Sequence, residues 1–154
     1  MIVRRSAQVD LPRVFDGLAP RLSDEYLTAE RYQGDALATF EDALRKTKTG
    51  FRKAIRENRA DTLLYDGAPL AIVRWQIQYG EAHTGFASSE KFFEAKYVRF
   101  MAGYVRDLQK RIGNVPLVAS NWSGRADVQR WFEILGYEFA MEHGPAKVFL
   151  LKPL

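Results

Sequence analysis

Glu81 and His83 stand two residues apart in Gly-Glu-Ala-His-Thr-Gly, and that spacing turns both side chains to one side of an extended strand. A carboxylate and an imidazole so placed can act together as a general base, taking a proton directly or through water. The plainer reading is a pair of polar residues on a frayed surface strand. A second candidate set is cationic. Arg45, Lys48, Arg52, Arg56 and Arg59 recur at three- or four-residue intervals and form a stripe along one helix. Such a stripe docks phosphate groups or an acidic partner protein, or is simply a solvated face whose long stems cover the edge of the core. No aromatic residues interleave with it, so base stacking and sequence-specific nucleic-acid recognition are not supported. His143, beside Gly144-Pro145, reads as a turn residue. No Ser-His-Asp arrangement, metal-ligand cluster or Walker-type loop is present.

Composition narrows the classes further. The 154 residues suffice for one domain with a real core, and 47% hydrophobic with 13% aromatic residues argues against disorder. Without cysteine there is no disulfide framework, thiol nucleophile or cysteine-ligated metal. Two histidines make a histidine-rich zinc site a poor expectation. No apolar run is long enough to span a bilayer, and Met-Ile-Val-Arg-Arg does not read as a signal peptide. A cytoplasmic protein, or one made there, is expected. The net charge of +4 fits ordinary solubility, or contact with nucleic acid or another acidic surface if the charge is clustered.

The elements that must position these residues follow from hydrophobic spacing. Residues 1–6 read as a first strand. Asp10-Leu11-Pro12 then opens a helix with Leu11, Val14, Phe15 and Leu18 on its apolar face. Residues 20–34 read as irregular and polar. Residues 35–59 are the longest helical candidate, with Leu37, Phe40, Leu44, Phe51 and Ile55 on one face and Gly50 weakening the middle by ~1 kcal/mol relative to Ala. Residues 62–66 and 69–79 flank Asp66-Gly67, a strong hairpin signal. The second strand alternates, so one side is expected in the core and the other at least partly wet. Residues 81–87 make a third, shorter strand after Gly80. Residues 89–112 read as a second long helix on the spacing of Phe93, Tyr97, Phe100, Met101, Tyr104, Leu108 and Ile112, capped by Ser88 or Ser89. That aromatic stripe reads as core.

The most informative stretch is residues 115–139. A strand ends in Asn121, a polar turn leads into a helix with Val128, Trp131, Phe132 and Leu135 on one face, and Leu135-Gly136-Tyr137 stops that helix before another strand. Residues 137–143 and 146–152 form a last hairpin. This stretch resembles the C-terminal half of the GNAT (GCN5-related N-acetyltransferase) superfamily, and strand-Asp-Leu-Pro-helix resembles its opening. The resemblance implies an α/β fold of α+β type: a mixed, mostly antiparallel sheet flanked by helices, in one domain over residues 1–154.

The same resemblance says where chemistry belongs. In a GNAT enzyme the loop before the central helix carries a glycine motif whose amides hold the pyrophosphate of acetyl-CoA at a helix N-terminus. The matching residues are Phe86, Ala87, Ser88, Ser89 and Glu90, with no glycine in the motif positions and a carboxylate where the anion belongs. Ser88, Ser89 and Lys91 still offer donors. The usual general acid is a Tyr at the position of Phe132, which has no proton to give. Tyr137 is the nearest replacement, Asn121 matches the Asn that follows the strand, and Glu81 or His83 would deprotonate an amine. Two expectations result. One is a GNAT-like protein that has lost acetyl transfer, needs no cofactor and binds or assembles with a protein partner through the basic helix. The other is a divergent acetyl-CoA-dependent N-acetyltransferase. Asp66-Gly67-Ala68-Pro69-Leu70-Ala71-Ile72, Ser88-Ser89 and Asn121 through Gly136 also look like the small GNAT-like internal virion proteins of short-tailed phages. That likeness would imply a virion-assembly role.

Overall fold

In the computed structural model, which describes residues 1–154, seven strands form one sheet in the order β1-β2-β3-β4-β5-β7-β6. β1 (Ile2–Arg5), β2 (Ala60–Tyr65), β3 (Ala68–Gln78) and β4 (Glu81–Ser88) run antiparallel to one another in succession. β5 (Leu117–Asn121) is parallel to β4, and β7 (Ala146–Leu151) lies antiparallel between β5 and the edge strand β6 (Glu138–His143). The two left-handed residues that each tight hairpin needs are Asp66 and Gly67 (φ 51° and 76°), then Tyr79 and Gly80 (φ 52° and 77°). Tyr79 therefore belongs to a turn rather than to the end of a strand.

Helices cover both faces. α1 (Asp10–Phe15), α2 (Pro20–Gln33) and α3 (Phe40–Arg56) lie on one side, where Leu11, Val14, Phe15, Phe51 and Ile55 pack on Ile72 and Ala87. α4 (Val98–Arg111) and α5 (Ala126–Ile134) lie on the other, where Met101, Leu108, Trp131 and Phe132 join Leu63, Val73, Leu117 and Phe149 in the larger core. The middle of β3 is thus dry on both faces, with Ile72 as buried as Val73. The expected wet face is found only beyond it, at Gln76 and Gln78.

Three expected boundaries move. Residues 20–34, read as irregular, form α2. Its inner face carries Glu25 between Leu22 and Leu27, so the apolar period that marks a helix is interrupted by a carboxylate. The helix expected over 35–59 begins at Phe40, where Thr39 and Asp42 make reciprocal bonds of 3.1 and 3.2 Å in a capping box. Leu37 and Phe40 are exposed as a result. The helix expected over 89–112 starts only at Val98, after two short 3₁₀ turns, Glu90–Phe93 and Ala95–Tyr97. Phe92 rather than Phe93 fills the core there.

Asp10 does not cap α1 forward, as its position suggested. Its buried carboxylate turns back, accepting two bonds of 2.7 Å from Arg4, one of 2.8 Å from the Ala7 amide and one of 2.9 Å from the Thr62 hydroxyl. Burial pushes this carboxyl up, but Arg4, Ala7 and Thr62 together outweigh it and hold it below the usual carboxylate range. A carboxyl depressed in the folded state stabilises the fold above its unfolded pKa, and that contribution fades as pH falls through the folded value. Asp10→Ala is expected to cost about 3 kcal/mol at neutral pH by leaving the Ala7 amide unpaired, Thr62 with Ser6 alone, and Arg4 without its carboxylate. Chemical denaturation at neutral pH and below pH 4 should show the deficit shrinking on acidification; a deficit independent of pH would refute this account.

Candidate active site between parting strands

β4 and β5 are bonded at only two positions, Ala82 with Leu117 and His83 with Val118. Beyond these the strands part, one running on to Ser88 and the other to Asn121. The Thr84 hydroxyl still reaches the Val118 carbonyl at 2.9 Å, and it is the last link between them. On one side of the opening Phe86 and Trp131 pack with ring centres 5.6 Å apart. On the other the Tyr26 hydroxyl donates to the Phe86 carbonyl at 2.7 Å, giving a strand-type acceptor a partner from a helix.

The gap opens into a cavity of about 370 Å³ that crosses the sheet. Thr84, Phe86, Trp131, Phe132 and Tyr137 line it on the α4–α5 side, and Glu25, Tyr26 and Arg74 on the α2–α3 side. Glu25 accepts a 2.7 Å bond from the Trp122 amide. Burial raises its carboxyl to about 7, against the pull of the Trp122 and Ser123 amides and of Arg21. The carboxyl therefore exchanges its proton near neutral pH. Tyr137 is fully enclosed, and burial pushes its phenol up despite the neighbouring Thr84 hydroxyl, so it keeps its proton at neutral pH.

Of the sequence-derived candidates the cavity brings together only Tyr137 and Phe86. Glu81 and His83 do share one side of β4, with His83 Nε2 3.7 Å from Glu81 Oε2, but they sit where β4 and β5 are still bonded and neither lines the gap. Of the loop residues only Phe86 lines it; Ala87 is buried against α1 and α3. Ser88 and Ser89 are enclosed, and neither hydroxyl has a partner. Glu90 forms a two-pronged ion pair with Arg21 at 3.0 and 2.9 Å, and Arg21 also faces Asp127 at 3.9 Å. Because the α-helix starts only at Val98, its dipole and free amides are not at this loop. The buried Asn121 accepts from the Ser123 amide and hydroxyl at 3.0 and 2.5 Å, closing the turn, while its Nδ2 has no partner.

Of the cationic stripe, Arg52 and Arg56 project from α3 into solvent and Arg45 pairs with Asp42. Lys48 lies over the Phe15 ring at 5.6 Å. Arg59 is off the stripe, because α3 ends at Arg56 and left-handed Asn58 turns the chain, so that its guanidinium bonds Glu57 and the Trp75 carbonyl. Sequence reasoning missed Glu25, Tyr26 and Arg74. Glu25 and Tyr26 sat in a segment read as irregular, and Arg74 read as one polar member of an alternating strand. The available signal was Arg74 itself, set between Val73 and Trp75 in an otherwise apolar run.

No family model and no curated protein matches the sequence. Solved structures match the fold along nearly its whole length. The N-acetyltransferase PaiA of Thermoplasma acidophilum, solved in complex with coenzyme A, is 11% identical with a TM-score of 0.69, over 99% of this chain and 98% of that one. The ribosomal-protein-S18-alanine N-acetyltransferase of Escherichia coli is 14% identical with a TM-score of 0.64, over 97% and 92%. The ribosomal-protein-alanine N-acetyltransferase of Brucella melitensis is 12% identical with a TM-score of 0.60, over the full length of both chains. Element order, the mixed sheet and these matches together give this chain the GNAT fold.

Proposed function

We propose that this protein transfers an acyl group from a pantetheine thioester to an amine through the gap between β4 and β5. The observation that carries this reading is the cavity crossing the sheet there, with a carboxyl that titrates near neutral pH on one side and an enclosed, protonated phenol on the other. Glu25, whose Oε1 accepts the Trp122 amide, takes the proton of the attacking amine on Oε2. Tyr137 Oη keeps a proton in the gap for a leaving thiolate. Phe86, Trp131 and Phe132 exclude water from it. The coenzyme A complex of the Thermoplasma protein supports acetyl-CoA as one donor. The gap suits a pantetheine arm. The loop beyond it suits a diphosphate poorly, because the Glu90 and Asp127 carboxylates stand there and the N-terminus of α4 does not face it.

Glu25→Gln is expected to lower kcat by about 100-fold or more, the range of a lost general base, while keeping the bond from Trp122. In the wild type, kcat/KM should rise with pH to a plateau above about 7. A pH profile unchanged in Glu25→Gln would remove Glu25 from the reaction. Folding carries the opposite sign: a carboxyl raised in the folded state stabilises below the unfolded value of 4.5, and that contribution is lost as pH rises through about 7. The variant should flatten stability over that window. Acetyl-pantetheine is expected to be used within about tenfold of acetyl-CoA in kcat/KM, since about 1.4 kcal/mol is all that a weak diphosphate contact supplies. A far larger advantage for acetyl-CoA would show that the Ser88-Ser89 loop binds the diphosphate after all.

A second reading is favoured by that same loop and by Phe132 in place of a tyrosine: the fold has lost acetyl transfer and serves a binding or assembly role, in a virion or elsewhere. Its partner would meet the exposed Arg52 and Arg56 on α3. Reversing both to Glu should abolish partner or nucleic-acid association and leave the melting temperature within a few degrees, as for surface substitutions of about 0.5 kcal/mol. Association that survives the double variant would leave this reading without its surface.

A further inference from the structure

Arg74 lines the transfer cavity and also a second cavity of about 360 Å³ beside it, between α3 and the β3–β4 hairpin. The second cavity is walled by Lys53, Arg59, Arg74, Gln76 and His83, with no carboxylate among its lining residues. Arg59 is already engaged by Glu57 and the Trp75 carbonyl, and His83 faces Glu81. Arg74 is different. Its guanidinium is largely withdrawn from water, stacks on the Phe51 ring at 4.8 Å, and has neither an ion pair nor a hydrogen bond in the protein. Burial and the Arg59 charge both work against its protonated form.

Room for this side chain is left at one glycine: a Cβ at Gly50 of α3 would overlap Arg74 Nη1. A helix interior that keeps Gly50 is less stable than one with Ala there, and a guanidinium seated without a partner is costly in its own right. Neither feature serves packing, since an apolar side chain on Phe51 would be cheaper. Both are accounted for if the five guanidinium donors are completed by an oxyanion from solution.

We infer that Arg74, assisted by Lys53, holds an oxyanion, carboxylate or phosphate, on the acceptor, so that the acceptor is an amine carrying a negative group rather than a neutral or purely cationic amine. This rests on the proposed transfer reaction for its amine end, at Glu25, and on the second cavity for its anionic end. Arg74, Thr84 and Gly85 line both cavities, which sets the anionic end of the acceptor beside its amine end.

The binding half is tested without turnover. At fixed ionic strength, the melting temperature of the wild type should rise with inorganic phosphate, with glutarate, or with both, and the anion that acts names the group. Arg74→Met should melt no lower than the wild type and lose the response; Arg74→Lys, which keeps the charge but not the fork, should bind about 10- to 100-fold more weakly, the worth of a charge-assisted pair. No response to either anion in the wild type, or an undiminished response in Arg74→Met, overturns the inference. The acceptor half is read from kcat/KM for aminovalerate and aminopropyl phosphate, each divided by that for pentylamine. That ratio should exceed one in the wild type and collapse by about 10- to 100-fold in Arg74→Met. A ratio near one in the wild type overturns it. Anion binding that depends on Arg74, with no transfer to any amine, upholds the subsite and refutes the transfer reaction instead.

Discussion

The feature on which the rest depends is that β4 and β5 share only two paired positions before they part. Parallel pairing continued along both strands would have closed the sheet and sealed one helical layer from the other. Parting instead leaves backbone groups that must be satisfied away from the ladder. Tyr26 supplies a donor to Phe86, Glu25 accepts from Trp122, and the Thr84 side chain reaches Val118. Each of these substitutes comes from a residue that also lines the cavity or flanks it. The same side chains that make the opening affordable give it its chemistry.

That economy explains the position of Glu25. A carboxylate inside a helix face is costly unless hydrogen bonds or charge compensate for lost water. Here the two amides of the turn after β5, with Arg21 beyond, compensate only in part, and the remainder appears as a proton affinity near neutrality. Asp10 is the contrasting case. It too is buried, but Arg4, Ala7 and Thr62 saturate its oxygens, and it stays ionised as a structural tie between β1, α1 and β2. Two buried carboxylates thus take opposite roles through the number and charge of their partners.

At the far end of the opening β4 runs into the Ser88-Ser89 loop. Two 3₁₀ turns separate β4 from α4, so the positive end of that helix does not face the loop. Arg21, Glu90, Asp127 and Arg125 pair among themselves across the exposed surface, with Arg125 and Asp127 joined at 2.7 and 3.0 Å. An incoming diphosphate would have to compete with these internal partners. Arg74, by contrast, and Arg52 and Arg56 on the outer face of α3 carry cationic charge without an ion pair.

The sequence by itself determined the order of the strands and of every helix except α2, and the Asp66-Gly67 hairpin. Those features are set by local spacing, by the Asp-Gly turn, by the break at Gly80, and by the Leu135-Gly136-Tyr137 stop, which neighbours along the chain decide. It also showed which residues follow β4, with Glu90 among them and no glycine between Phe86 and Gly103, since these can be read without coordinates. Only the tertiary structure decided which residues meet. Glu25, Arg74 and Tyr137 are far apart in sequence, and their juxtaposition depends on where the β4–β5 ladder stops, a property of pairing between distant segments. Residues 20–34 hid their helix for the same physical reason: the carboxylate that interrupts its apolar face is buried against β5's turn, and no local pattern records that contact.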